Sequence, residues 1–175
     1  MGDAERPDEG AFGLSHLREG PAGAESRMVD VSSKPETRRE ALASALVRFP
    51  AGLRDRALAG DGPKGPITEV ARVAGVLAAK RTGEWIPMCH PLALDGVDVH
   101  FLPSEDDPDL LEVRCRAACT GRTGVEMEAM VGASAAALTV YDMTKALAKG
   151  IVVEEVRLLE KRGGRSGTWT AAPRG

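Results

Sequence analysis

Asp142 and Lys145 stand three residues apart in the run AALTVYDMTKA, a spacing that makes them neighbours on one face of a helix. A carboxylate and an ammonium held together can move protons to and from a substrate, because each shifts the other's pKa. The same spacing suits an ordinary surface ion pair, worth only about 0–1 kcal/mol. By spacing alone the ion pair is the commoner case, and the flanking Ala, Leu, Val, Met and Tyr weaken it without displacing it, since they suit a face that is not openly solvated.

Three further groups could carry chemistry. In GVEMEAM, Glu126 and Glu128 share a side if the segment is extended and diverge if it is helical. Two such carboxylates could orient a guanine-like ring through its N–H donors or serve as acid and base; they equally suit a helix N-terminus. In PMCHPL, His90 follows Cys89 in a proline-flanked loop, as a ligand, an acid–base group or a structural histidine. In GPKGP, Lys64 sits beside backbone N–H groups that open a helix, an arrangement suited to an anion. The Gly-x4-Gly-Lys-Ser/Thr order of a P-loop is absent. Arg39, Arg72, Lys80, Arg81, Lys161 and Arg165 are cations that could join Lys64 around phosphates. No metal site is expected. Cys115 and Cys119 point the same way on a strand but ~13 Å apart, too far to share one ion with Cys89 and His90.

The elements that must hold these groups can be read from periodicity. RREALASALVRF, Arg38 to Phe49, alternates between two prolines and reads as a strand, although its Ala and Leu also favour helix. A short helical pattern follows at Leu53 to Ala59. From Lys64 to Thr82, Ile67, Val70, Val73, Ala74, Leu77 and Ala78 recur at helical spacing, and Gly83 to Pro91 reads as a loop. Val97, Val99 and Phe101 alternate, as do Leu111, Val113 and Cys115 beyond the turn-forming SEDDPD, which predicts a β-hairpin. A long buried helix begins after Gly124 and ends at Gly150, and Val152 to Leu159 supplies a last strand. Strand, helix, strand, strand, helix, strand is the order of a ferredoxin-like α+β sandwich, an antiparallel sheet with helices packed on one face.

Composition narrows the function classes. The chain has 175 residues, enough for one domain with a real core, and a net charge of −3. That charge, with three Phe, two Trp and one Tyr, argues against nucleic acid as a partner, since the chain has neither an excess of Lys and Arg nor the aromatics of a stacking platform, although local basic clusters can still bind phosphates. No window approaches the ~20 apolar residues of a membrane span. Three cysteines and no signal-like N-terminus point to a reduced, cytoplasmic protein. Residues 1–27 read as a disordered extension, 28–167 as a single catalytic domain and 168–175 as a tail that frays.

In chain order, MVDVSSKPETRREA, KGPITEVARVAGVLAAKRT, IPMCHPL, TGRTGVEMEAM, AALTVYDMTKA and VRLLEKRGGRSG resemble the cyclic pyranopterin monophosphate synthases of molybdenum cofactor biosynthesis. Each segment is weak alone; six in order are specific. The resemblance implies a lyase that converts 3′,8-cyclo-7,8-dihydroguanosine 5′-triphosphate into cyclic pyranopterin monophosphate and diphosphate. It implies Asp142 and Lys145 as the acid–base pair and Lys64 as a catalytic or phosphate-contacting residue. Met88, Cys89, His90, Met127 and Glu128 would bind substrate, with Glu126, Arg39, Lys80 and Lys161 as lesser candidates. It also implies a homohexamer, a trimer of dimers, with sites at subunit interfaces. No cofactor is required, and Mg²⁺ accompanying the triphosphate is compatible with it. The chain departs from the family pattern in its acidic N-terminal extension, in Pro66 after Lys64-Gly65, and in Met88 before Cys89-His90. A non-catalytic nucleotide-binding regulatory module of the same fold is the alternative, and a metal-dependent nucleotide cyclohydrolase a further one.

Overall fold

The computed structural model describes residues 17–20, 23–59, 66–165 and 167–174. Its centre is strand β3 (Thr37–Arg48). Ala41, Ala43, Ala45 and Val47 point to one face and are at most 3% exposed, so burial has overridden the helical preference of this Ala-rich run. Strands β4 (Gly96–Pro103) and β5 (Leu110–Gly121) form the expected hairpin, with Val99 opposite Cys115 and Phe101 opposite Val113. Strand β6 (Val152–Arg162) lies along the other side of β3, and a two-residue strand β7 (Trp169–Thr170) adds to β6; β1 (Leu17–Gly20) and β2 (Gly23–Ser26) form a separate two-stranded sheet. The main sheet runs β4-β5-β3-β6-β7 and every neighbouring pair is antiparallel. With β5 inserted between β3 and β4, this is the split β-α-β of the ferredoxin-like sandwich.

Helices α2 (Ile67–Lys80) and α4 (Glu126–Thr144) cover one face of the sheet, with short helices α1 (Arg54–Leu58) and α3 (Thr82–Trp85) beside them. Small residues let α2 and α4 approach closely. A Cβ on Gly75 would lie 2.9 Å from the carbonyl oxygen of Gly132, and one on Gly132 would lie 2.5 Å from Cys115 Sγ. Glycine at these two positions therefore sets the spacing of helix on helix and of helix on sheet. Ala129, Ala133, Ala136, Ala137 and Val140 of α4 are fully buried beneath that contact.

Four local expectations need correction. Residues 17–20 and 23–26, within the extension expected to be disordered, are the antiparallel strands β1 and β2, which form a two-stranded sheet of their own. Thr82–Trp85 is a turn of helix rather than loop, because the chain breaks at Arg81 and Glu84 N–H then bonds to Arg81 O. Helix α4 stops at Thr144, not Gly150, with Lys145 as its C-cap. The terminal segment expected to fray is tied down: Ala171 N–H bonds to Leu159 O, and the Arg174 guanidinium donates to Ser44 Oγ at 2.7 Å and Glu112 Oε1 at 2.9 Å. Ser44 is fully buried on the sheet face opposite the helices, and a buried hydroxyl needs such a partner.

Candidate active site

Two adjoining cavities open where β3 begins, β5 and β6 end and α4 starts. Antiparallel pairing brings these termini together, since Glu40 is opposite Arg162 and Thr37 is opposite Gly121. The larger cavity, about 1040 Å³, is lined by six cationic side chains and two carboxylates. The cations are Lys34, Arg39, Arg122, Lys161, Arg162 and Arg165; the carboxylates are Glu40 and Glu126. An excess of four positive charges thus gathers on one side of a chain whose net charge is −3. Arg39 donates from Nε to Gly121 O at 3.4 Å. Its guanidinium fills the space where a side chain at Gly164 would be, Arg39 Cζ lying 2.6 Å from the site of a Cβ there. Lys161 Nζ meets Glu126 Oε1 at 3.1 Å, with both side chains partly exposed.

The smaller cavity, about 570 Å³, shares Lys34, Thr123, Gly124 and Glu126 with the first. Met88, Cys89 and His90 reach it from the loop after α3, and Met127 and Glu128 from the first turn of α4. Val29, Val31, Ile86 and Leu92 complete a mixed apolar wall of the kind that takes an organic ring with a few polar groups to orient it. The Val29–Lys34 segment forms part of that wall and is held by Arg122, which donates to Ser32 O at 3.1 Å.

Glu126 and Glu128 lie on a helix, so they diverge. Both acids fall in the first turn, where the helix dipole favours negative charge and no side chain caps the backbone. Glu128 is only 4% exposed. Burial pushes its carboxyl up to about 7, its backbone hydrogen bond opposes that rise, and the charge of Glu126 adds to it. Burial also raises the Cys89 thiol, with a further push from Glu128, so Cys89 enters the cavity as a neutral group.

Asp142 and Lys145 are elsewhere in the chain. Lys145 Nζ lies 2.6 Å from Asp142 Oδ1, with side chains 54% and 56% exposed, respectively. The sheltered face expected from the flanking apolar residues is not what a single chain presents. Met143 and Thr144 turn inward, while Leu138, Tyr141, Asp142 and Lys145 turn outward on the opposite side of the helix. The hydrogen bond with Asp142 holds Lys145 above its ordinary pKa. At a rise of 1.5 Å per residue, Asp142 is ~24 Å along α4 from Glu126.

Of the other candidates, Lys64 lies outside the described residues. Lys80 is exposed at the end of α2 and lines neither cavity. Arg72 stacks over Phe101 and donates to Val99 O, a role in the sheet edge. Sequence reasoning missed Lys34, Arg122 and Arg162. All three sit beside turn or strand-end residues, and their one common signal is placement in VSSKPE, TGRTG and EKRGG, whose ends antiparallel pairing brings together.

The chain matches the MoaC family over residues 28–164. A cyclic pyranopterin monophosphate synthase of Novosphingobium aromaticivorans is 52% identical over 159 residues, covering 91% of this chain and 98% of that protein. Proteins of the same name from Thermomicrobium roseum and Heliobacterium modesticaldum are 48% and 51% identical. Those alignments cover 89% and 88% of this chain, and 92% and 94% of the two relatives.

Proposed function

The chain belongs to the MoaC family, its activity is that of a cyclic pyranopterin monophosphate synthase, and we propose that the reaction runs across the two adjoining cavities, completed by Asp142 and Lys145 from a second copy of the chain. The enzyme is a lyase of molybdenum cofactor biosynthesis. It converts 3′,8-cyclo-7,8-dihydroguanosine 5′-triphosphate into cyclic pyranopterin monophosphate and diphosphate. The observation that carries the site assignment is the cationic cavity opening directly onto one that holds a carboxyl poised near neutrality.

The larger cavity suits the triphosphate. Its excess positive charge is of the size needed to neutralise three linked phosphates, and Lys161, Arg39 and Arg122 are positioned to meet them. When a sugar hydroxyl attacks the α-phosphorus, negative charge grows on the departing diphosphate, and preorganised cations stabilise that change. The smaller cavity suits the ring system, with Met88, Met127 and the Cys89–His90 segment around it. Glu128 can take up and return a proton near pH 7 during ring rearrangement, because its ionised and neutral forms are close in free energy there. Lys64 and Lys80 stay in this reading through the family resemblance alone.

The second copy enters because Asp142 and Lys145 are too far along α4 to reach the cavities of their own chain. Leu138 and Tyr141, one turn of α4 before the pair, leave apolar surface exposed, as do Val70, Val73 and Leu77 on α2. Covering that surface in a trimer of dimers would exclude water from Asp142 and Lys145 and bring them to a neighbouring cavity. Any Mg²⁺ ion would come with the triphosphate, held by phosphate oxygens and water. The described cysteines are free thiols, which fits a cytoplasmic setting, and no described helix is long and apolar enough to cross a membrane.

Incubation of the purified protein with the cyclised GTP derivative tests this reading. Diphosphate and an oxidisable pterin should appear together. Binding without turnover would instead mark a regulatory module.

A further inference from the structure

We infer that Gly124 is a positioning residue, whose missing side chain is the seat of the Glu126 carboxylate in the catalytic cavity. The inference rests on the functional reading above and adds to it a residue that contributes no group to the chemistry. A Cβ built on Gly124 would lie 2.6 Å from Glu126 Cδ and 2.8 Å from Oε1, and would overlap Oε2. These atoms belong to the one carboxylate that meets Lys161, at 3.1 Å from Oε1 to Nζ. Glu126 thus folds back over residue 124 at the start of α4 and holds Lys161 at the boundary of the two cavities, which both Gly124 and Glu126 line.

The glycine is not needed for backbone reasons. Positive φ occurs among the described glycines at Gly23, Gly52, Gly150, Gly163, Gly164 and Gly167, and Gly124 is not one of them. An alanine at 124 needs no positive φ, and the nearest atoms its Cβ would meet all belong to the end of a flexible side chain. The collision is relieved by swinging the carboxylate away, and that motion separates it from Lys161. The cavity then keeps all its cations but loses the group that fixes one of them.

A double-mutant cycle tests this, using Gly124→Ala, Glu126→Ala and the two together in the full chain. In the wild-type background Gly124→Ala should lower kcat/KM at least tenfold. With Glu126 already truncated nothing fills the seat, so adding Gly124→Ala should change the residual kcat/KM by less than twofold and leave the melting temperature where Glu126→Ala put it. Equal losses in both backgrounds would show that the loop itself requires glycine, and would overturn the inference. So would wild-type kcat/KM in Gly124→Ala. Should Gly124→Ala alone fail to fold, the double variant should still fold, and its failure would count equally against the seat. Crystal structures of Gly124→Ala and wild type give a readout independent of turnover. The Glu126–Lys161 separation should open beyond 4 Å in the variant, and an unchanged pair would refute the seating. A wild-type chain that does not turn over the cyclised nucleotide would instead sink the functional reading, while the structures still decide the geometry.

Discussion

Lys161 at the end of β6 and Glu126 at the start of α4 meet at 3.1 Å, which ties the last long strand to the first turn of the longest helix at the mouth of the cationic cavity. The pair is partly exposed, so its own contribution to stability is small. Its consequence lies in where it holds an ammonium. A charge-assisted hydrogen bond to phosphate contributes about 1.5–3 kcal/mol. Lys161→Ala should therefore raise KM for the cyclised nucleotide about tenfold to a hundredfold and flatten the salt dependence of binding. Lys161→Arg should retain most of the affinity. Steady-state kinetics at two ionic strengths check this, and an unchanged KM in Lys161→Ala would remove Lys161 from the phosphate site.

Glu128 makes stability depend on pH in a known direction. Its folded pKa of about 7 lies above the ordinary glutamate value of 4.5, so the folded state keeps a proton that the unfolded chain has already lost. The associated stability is fully present below pH 4.5 and is lost as pH rises through about 7. Glu128→Gln, which is neutral at every pH, should be more stable than wild type at pH 8 by up to about 3 kcal/mol and no more stable at pH 4. Urea melts at the two pH values decide it. The same substitution should abolish the limb of the kcat/KM profile near pH 7.

These two residues also show what the sequence could convey. Glu126 and Glu128 were conspicuous as a pair, and alternation and helical spacing located every long element. Periodicity could not say that Glu126 would find Lys161, because that contact depends on β3 lying between β5 and β6. Lys34 and Arg122 were unremarkable singly for the same reason: antiparallel register, not local sequence, gathers them. The apolar neighbours of Asp142 misled in the opposite sense. Val140 and Met143 are buried while Leu138 and Tyr141 mark a surface exposed in one chain, and hydrophobicity alone does not distinguish a core from an uncovered face.

The close approach of α2 and α4 predicts an overpacking penalty. A methyl group on Gly132 would sit 2.5 Å from Cys115 Sγ and 3.3 Å from Gly75 O. Neither neighbour can yield easily, since Cys115 is fully buried in β5 and the Gly75 carbonyl belongs to the backbone of α2. Gly132→Ala should destabilise the protein by about 1–3 kcal/mol. Cys115→Ala in that background should recover part of the loss, because it removes the closest obstacle. Strictly additive losses in denaturant melts would show that sulfur and methyl never compete.

The outward face of α2 predicts an interface. Val70, Val73 and Leu77 share that face at 43%, 58% and 49% exposure, and Val73 is the most exposed of the three. Val73→Asp adds a charge to a surface that costs nothing to leave in water but is expensive to bury. The variant should fold with an unchanged circular dichroism spectrum, sediment as a smaller species than wild type and lose activity with assembly. Wild-type sedimentation would show that copies of the chain do not meet through this face.

Asp142 and Lys145 offer the sharpest test of a shared site. Within one chain they form an exposed i, i+3 pair, so Asp142→Asn and Lys145→Ala should leave the fold, read by circular dichroism, unchanged. Each should nonetheless remove most turnover if the pair completes the cavity of a second copy. A variant lacking Lys145 and one lacking Lys161 then fail for defects on opposite sides of the same composite site. In a mixed dimer one site collects both defects and the other collects neither. Random mixing makes half the dimers mixed, so about a quarter of all sites are intact when Lys145→Ala and Lys161→Ala subunits are exchanged. With substrate held well below the KM of Lys161→Ala, about a quarter of wild-type activity should return. Mass spectrometry confirms that mixed oligomers form. If they form and turnover does not rise above that of the two variants kept apart, the pair and the cavity do not cooperate across subunits.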